Sequence, residues 1–135
     1  IKEKKIAEAA KDLKKYVHFI GFRDDATKLA GASDLFVMPS RDREGLPKGV
    51  IEAMAQGVSA VVTNVGGMPE LVRDGIDGYV VPKENAKILA EKILELYKDP
   101  EKRALFAASA KKRIARDFNN DQSLEQLLEF YQSQL

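Results

Sequence analysis

The sequence predicts an α/β fold in which helices flank a parallel β-sheet. Short apolar runs of strand length alternate with segments whose apolar residues recur every three or four positions. Connections rich in Gly, Pro, Asn and Asp separate these segments. This alternation is typical of the right-handed crossovers that build a parallel sheet. From residue 84 onward the pattern is helical only.

Two helices and two strands are predicted in the first part of the chain. Residues 2–15 have the spacing of an amphipathic helix with one buried stripe. The apolar runs at 17–20 and 34–38 end at Gly and Pro and predict strands that are buried on both faces. A short helix over about 25–31 is expected to join them.

The middle of the chain continues the alternation. A third helix follows the second strand, with Pro47 suited to its first turn and Gly57 to its C-terminal cap. Two more buried strands are predicted over 59–63 and 78–81. A one-turn helix over 69–72 is expected between them.

Three consecutive helices are predicted over 84–98, 100–117 and 121–134, with Pro100 in a favourable first-turn position. Each helix has an apolar stripe that we expect to pack against the sheet or against another helix. The stripe residues are Ile88, Ile93, Leu96, Tyr97, Leu105, Ile114, Leu124, Leu127, Leu128 and Tyr131.

The composition is that of an ordinary soluble domain, and it excludes several kinds of site. The 135 residues include 22 basic and 21 acidic side chains, for a formal charge of +1. This near-neutral balance makes a nucleic acid partner unexpected. The absence of cysteine excludes disulfides, thiolate metal sites and cysteine nucleophiles, and the single His18 excludes a histidine metal cluster.

The segment 39–54 has the strongest chemical signal. It leaves the C-terminal end of a predicted strand and opens a helix, and a helix N-terminus at that edge of an α/β sheet is a phosphate site. Glu44 and Glu52 would lie about 12 Å apart along the axis if the whole stretch were helical. A nucleoside diphosphate sugar has that span, and carboxylates accept hydrogen bonds from hydroxyls. On spacing alone, the favoured interpretation of Glu52 is the exposed edge of an amphipathic helix.

Several motifs at fixed spacing occur in one order along the chain. They cover 34–40, 44–57, 61–72 and 74–82, and the second reads Glu-Gly-Leu-Pro-Lys-Gly-Val-Ile-Glu-Ala-Met-Ala-Gln-Gly. Together they closely resemble the C-terminal, donor-binding domain of the retaining glycosyltransferases with the GT-B fold, the glycosyl transferases group 1. The resemblance runs from about residue 17 to 135. It implies a Rossmann-like sheet and a single partial donor-binding domain over 1–135, with 84–135 as C-terminal helices packed on it.

The resemblance also implies roles for individual residues. Glu44 matches the glutamate that holds the transferred sugar and helps to stabilise the transition state, and Glu52 matches the one that binds the ribose. Gly45 and Leu46 match a turn whose amides meet the donor. The pair Gly66-Gly67 matches a loop near the donor. The implied reaction transfers a sugar from a nucleotide diphosphate sugar with retention of configuration, without a bound metal or other cofactor.

Gly21, Phe22 and Arg23 follow the first predicted strand, where the family often contacts the nucleobase. A simple tight turn is an equally good interpretation of these three residues. The sequence departs from the family in Gly45-Leu46-Pro47, where Gly-Phe-Gly is usual, and Pro47 has no amide to donate.

Basic side chains flank the expected anion site. Arg41, Arg43 and Lys48 lie close to it in sequence, and for each of them a phosphate contact and a solvated position are both open.

Parts that the family has do not occur in these 135 residues. The resemblance implies first strands with an Arg and a Lys that neutralise the diphosphate, and an N-terminal acceptor domain. We therefore expect a partial domain without turnover of its own, whose unpaired strand edges are completed by another polypeptide, by strand exchange or by self-association.

Location and class are further expectations. No signal peptide or membrane span is visible in the sequence, and nucleotide sugars are made in the cytoplasm. We expect a cytoplasmic protein, with peripheral membrane association through the acceptor domain. The alternatives are a non-catalytic module that binds nucleotide sugars or phosphate and, less favoured, a flavodoxin-like regulatory domain.

Overall fold

The structure, a computed structural model, describes residues 6, 8–13 and 15–134. Its three strands form one parallel sheet in the order β1 (Phe36–Met38), β2 (Ala60–Thr63) and β3 (Gly78–Val81). The connections from β1 to β2 and from β2 to β3 are both helical. The predicted α/β class with a parallel sheet and flanking helices is confirmed, as are the strands predicted near 34–38, 59–63 and 78–81.

In the described part of the chain, six α-helices can be delimited, at or near their predicted places. They are α1 (Ala26–Gly31), α2 (Lys48–Ala55), α3 (Met68–Leu71), α4 (Ala86–Lys98), α5 (Pro100–Asp117) and α6 (Asn120–Ser133). The side chains of Asn85 and Asp99 cap α4 and α5 by accepting hydrogen bonds from backbone amides. Gly57 follows α2 with φ +79°, a left-handed conformation that glycine adopts without strain. Within the described residues, no helix combines the length and apolar character needed to cross a membrane.

The core has two parts, one on each face of the sheet, because β2 is buried on both faces. On one face, Val62 packs with residues of α2 and α3, including Met54 and Met68. On the other face, Val61 packs with Leu96 of α4 and Phe106 of α5. Helix α5 contributes to both parts and therefore holds the layers together. Each fully buried side chain of this size contributes about 1.5–3 kcal/mol through removal of apolar surface from water.

The strand predicted at 17–20 is wrong. These residues have an irregular backbone, and Phe19 and Ile20 are 52% and 59% exposed. A parallel strand obtains its hydrogen bonds from a neighbour, and among the described residues β1 pairs with β2 alone. Residues 17–20 pair with no strand among the described residues, so they lack these bonds. Of the helix predicted over 2–15, residues 6, 8 and 9 are helical and a 3₁₀ turn follows at Lys11–Leu13, while 1–5, 7 and 14 lie outside the described residues.

The predicted packing of the last three helices is only partly correct. Leu96 and Ile114 are buried, and Ile88 and Ile93 are half-buried. Helical periodicity shows which side chains share a face, but not whether another element lies opposite that face. The stripe residues that remain exposed, contrary to prediction, are Tyr97, Leu105, Leu124, Leu127, Leu128 and Tyr131.

A fully buried carboxylate ties the turn before β3 to α5. Asp77 accepts hydrogen bonds from Nε and Nη2 of Arg73, each at 2.7 Å, and from Oγ of Ser109 at 2.7 Å. Arg113 adds a second guanidinium at 3.8 Å. Burial alone would raise the pKa of Asp77, but the hydrogen bonds from Arg73 and Ser109 outweigh it and hold the pKa below its usual range. Asp77 is therefore ionised and paired in the folded protein.

A second charged cluster joins β3, α4 and α5. Glu95 accepts hydrogen bonds from Lys102 at 2.5 Å, from Lys92 at 2.8 Å and from the hydroxyl of Tyr79. These donors, Lys102 first among them, lower the pKa of Glu95 to about 2.

This lowered pKa makes stability depend on pH. Because the unfolded chain binds the Glu95 proton more readily than the folded chain, the contribution of Glu95 is complete above its ordinary pKa of 4.5 and is lost toward about 2. We expect Glu95→Gln to lower the free energy of unfolding at neutral pH, and this deficit to shrink as the pH falls below about 4.5. Urea unfolding at a series of pH values measures it, with exposed Glu91→Gln as control. A deficit that does not change with pH would contradict the prediction.

Candidate functional site

The loop between β1 and α2 presents Glu44 at the carboxyl edge of the sheet. Ser40 donates a hydrogen bond from Oγ to the Glu44 carboxylate at 2.7 Å. Thr63, the last residue of β2, donates from Oγ1 to the Ser40 carbonyl at 2.6 Å. The half-buried Glu44 carboxylate is thereby held by Ser40, whose backbone is in turn fixed by Thr63 at the end of the neighbouring strand. In open α/β sheets this edge is where ligands bind.

The Gly66-Gly67 loop packs directly on the backbone of the Glu44 loop. The amide of Gly67 donates to the Gly45 carbonyl at 3.0 Å. A Cβ atom added to Gly66 would lie 1.7 Å from the Glu44 carbonyl oxygen, and one added to Gly67 would lie 2.8 Å from Cδ2 of Leu46. Gly66 also has φ +54°. Only glycine permits this approach, which brings five of the predicted site residues together.

Glu52 lies in the second turn of α2 and is oriented by a neighbouring helix. Thr27 of α1 donates from Oγ1 to Oε2 of Glu52 at 2.9 Å, and Nζ of Lys48 lies 3.4 Å from Oε1. Its side chain remains 29% exposed. Helix α2 begins only at Lys48, so Glu44 precedes the helix, and the spacing calculated for one continuous helix does not apply.

The segment predicted to contact a nucleobase lies just before α1. Gly21 has φ +63°, as the tight-turn interpretation expects, and Phe22 is 95% exposed. Arg23 forms a two-point ion pair with Asp25, at 2.7 and 2.8 Å. Helix α1 connects this segment to the site, since its Thr27 reaches Glu52.

The start of α2 favours an anion. Pro47 occupies the N-cap position, and among the described side chains none caps this end of the helix. Uncapped amides at a helix N-terminus attract negative charge. Lys48 is 88% exposed beside them, whereas Arg41 is paired with Glu84.

Sequence reasoning missed three hydroxyl partners and a cleft. Ser40 and Thr27 donate hydrogen bonds to the two glutamates, and Thr63 fixes the backbone of Ser40. Their only signal in the sequence is a hydroxyl residue at the end of a strand or inside a short helix. A cleft of about 220 Å³ lies at the same edge of the sheet, lined by Pro39, Arg41, Thr63, Glu84, Asn85, Ala86 and Leu89. In the described part of the chain, no group of three or more carboxylate or imidazole side chains is arranged to hold a metal ion.

Comparison with known proteins gives consistent matches. Residues 2–113 match the family of glycosyl transferases group 1. The N,N'-diacetylbacillosaminyl-diphospho-undecaprenol alpha-1,3-N-acetylgalactosaminyltransferase of Campylobacter jejuni is 39% identical over 94 residues, which are 70% of this chain and 25% of that protein. The chain thus spans about a quarter of the length of that relative.

Solved structures of two proteins are among those that match the fold. Anabaena Alr3699/HepE in complex with UDP superposes with a TM-score of 0.92 at 29% identity, over 96% of this chain and 36% of HepE. Its complex with UDP-glucose gives 0.90. The C-terminal domain of the group 1 glycosyl transferase LpcC from Francisella tularensis gives 0.78 at 27% identity, over 87% of this chain and 63% of that domain. These similarities confirm the predicted relation to the C-terminal part of GT-B glycosyltransferases. The chain belongs to the glycosyl transferases group 1 family.

Proposed function

We propose that this chain binds a nucleoside diphosphate sugar as the donor-binding part of a retaining glycosyltransferase. One observation carries the proposal: the Glu44 loop, the Gly66-Gly67 loop and the uncapped start of α2 meet at the carboxyl edge of the parallel sheet. Family membership and the UDP and UDP-glucose complexes of HepE support it.

The two glutamates have separate tasks in this proposal. Glu52, oriented by Thr27, accepts hydrogen bonds from the ribose hydroxyls of the donor. Glu44, oriented by Ser40, accepts hydrogen bonds from hydroxyls of the transferred sugar. The amides of Gly45 and Leu46 and the start of α2 face the diphosphate. Gly21, Phe22 and Arg23 lie nearest the base.

In the reaction that we propose for the whole protein, the sugar moves to an acceptor with retention of configuration. Glu44 stabilises the positive charge that develops on the sugar ring, and the helix amides stabilise the leaving phosphate without a metal ion. Because the chain spans 25% of the Campylobacter jejuni relative and 36% of HepE, we propose that it binds the donor but does not turn it over by itself. Assays of the purified chain for glycosyl transfer test this point.

Calorimetry with UDP and UDP-glucose separates the two glutamates. We expect Glu44→Gln to weaken UDP-glucose binding about tenfold and to leave UDP binding unchanged, because a charge-assisted hydrogen bond to the sugar is lost. Glu52→Gln is expected to weaken the binding of both ligands by the same factor. GDP- and ADP-sugars in parallel identify the base that the site prefers.

Exposed Glu91→Gln on α4 is the matched control, and its binding should equal that of the unchanged chain. Equal loss of UDP and UDP-glucose binding in Glu44→Gln would contradict the assignment of Glu44 to the sugar. In a longer protein that contains the chain, Glu44→Gln should lower kcat about 10²–10³-fold if the site is catalytic. No loss of rate would indicate a non-catalytic binding module.

A further inference from the structure

Two ion pairs join the Glu44 loop to the turn that follows β3. Arg41 donates from Nε to Oε1 of Glu84 at 3.1 Å and also from Nη2. Next to this pair, Nζ of Lys83 lies 3.4 Å from Oδ1 of Asp42. The pairs connect adjacent residues of one segment to adjacent residues of the other with the charge order reversed, so a shift of either segment by one residue would bring like charges together.

Both segments contain a residue with strained backbone. Arg43, directly before Glu44, has φ +55°, and Glu84 has φ +59°. A side chain with a Cβ atom resists this left-handed conformation, and such residues are found where a loop must be held for function.

Stability does not explain the strain at Glu84. Arg41 and Glu84 are 76% and 57% exposed, and a pair so exposed to water contributes little to folding. The left-handed backbone at Glu84 costs at least as much as such a pair returns. Both side chains line the 220 Å³ cleft, whose other walls include Pro39 and Thr63 of the two strand ends behind the Glu44 loop.

We propose that Arg41 and Glu84 are positioning residues that hold the Glu44 loop against the turn after β3, so that the Glu44 carboxylate faces the sugar of the donor. Asp42 and Lys83 set the register of the two segments. This role rests on the proposed function for its ligand, but the holding of the loop is a property of the ligand-free chain.

Two variants of Glu84 separate positioning from folding. Glu84→Gly removes both the ion pair and the backbone strain, so it should raise the Tm. Glu84→Gln removes the ion pair and keeps the strain, so it should not raise the Tm. Because both variants lose the pair, both should speed amide hydrogen exchange at Gly45 and Leu46 without ligand. Both should also weaken UDP-glucose binding about threefold, with UDP binding unchanged.

The outcomes separate this proposal from the proposed function. Unchanged exchange at Gly45 and Leu46 in both variants would overturn the positioning role, whether or not the chain binds a donor. Faster exchange with UDP-glucose affinity equal to that of the unchanged chain would overturn the link to the sugar. A third outcome is that both variants exchange faster but the chain without substitutions does not bind UDP-glucose. That result would support the holding of the loop and overturn the proposed function.

Discussion

Gly66→Ala is expected to displace the Glu44 loop and to weaken UDP-glucose binding by at least about tenfold. The new Cβ atom would lie 1.7 Å from the Glu44 carbonyl oxygen and 2.7 Å from its carbon, so the two backbones must separate. Since Gly67 also donates to Gly45, the separation breaks the contact that places Glu44 and Leu46. Calorimetry and thermal unfolding of the variant measure the two effects.

Gly75→Ala is the matched control for this substitution. Gly75 has φ +73°, so alanine there carries a comparable backbone cost, about 1–2 kcal/mol. A Cβ atom at Gly75 would meet nothing within 4 Å. We therefore expect Gly75→Ala to lower stability without changing donor affinity. Equal affinities of the Gly66→Ala and Gly75→Ala variants would show that the glycine contact does not shape the site.

Asp77→Ala is expected to have the largest effect on folding, a loss of about 3–5 kcal/mol in the free energy of unfolding. The substitution leaves the guanidinium groups of Arg73 and Arg113 without their shared carboxylate and removes the acceptor of the Ser109 hydroxyl. It thus detaches the turn before β3 from α5. Urea unfolding at neutral pH measures the loss.

Ser109→Ala should cost less, about 1.5–3 kcal/mol, because it removes hydrogen bonds to charged groups while both arginines keep the Asp77 carboxylate. Asp117→Ala, which removes a partly exposed carboxylate paired with Arg113 and with exposed Arg116, should cost less than Asp77→Ala. A smaller loss for Asp77→Ala than for Ser109→Ala would contradict the central place of Asp77.

Local signals in the sequence were sufficient to predict most of the helices and strands. The strands near 34–38, 59–63 and 78–81 follow from apolar runs bounded by turn residues, and α5 begins at Pro100 as predicted. These features depend on residues close in sequence, whose periodicity and capping can be identified without knowledge of any distant contact.

Features that need a partner from elsewhere in the chain could not be predicted in this way. Residues 17–20 have the composition of a buried strand and yet lie outside the sheet, because no described strand is beside them. The apolar stripe on α6 has correct helical spacing but stays exposed. The sequence could not predict this exposure, because helical spacing contains no information about which element lies opposite the stripe.

In the candidate site, too, the motifs can be predicted from the sequence but the contacts between them cannot. The glutamate pair and the glycine pair are visible as motifs, and their functional roles stay predictions. Their mutual placement is a tertiary property: Thr27 reaches Glu52 across 25 positions, and Arg41 reaches Glu84 across 43. Such contacts depend on how the crossovers stack at the carboxyl edge of the sheet.

By itself, therefore, the sequence determined the family and the parallel α/β class, and it predicts the residues that a donor site would use. Only the tertiary structure decided that the Gly66-Gly67 loop touches the backbone of Glu44 and Gly45, and that Asp77 is buried between two arginines. The physical reason is the distance along the chain over which the interactions act. Secondary structure follows from neighbours a few residues away, whereas a site and a buried charge are made by side chains that only the folded core brings into contact.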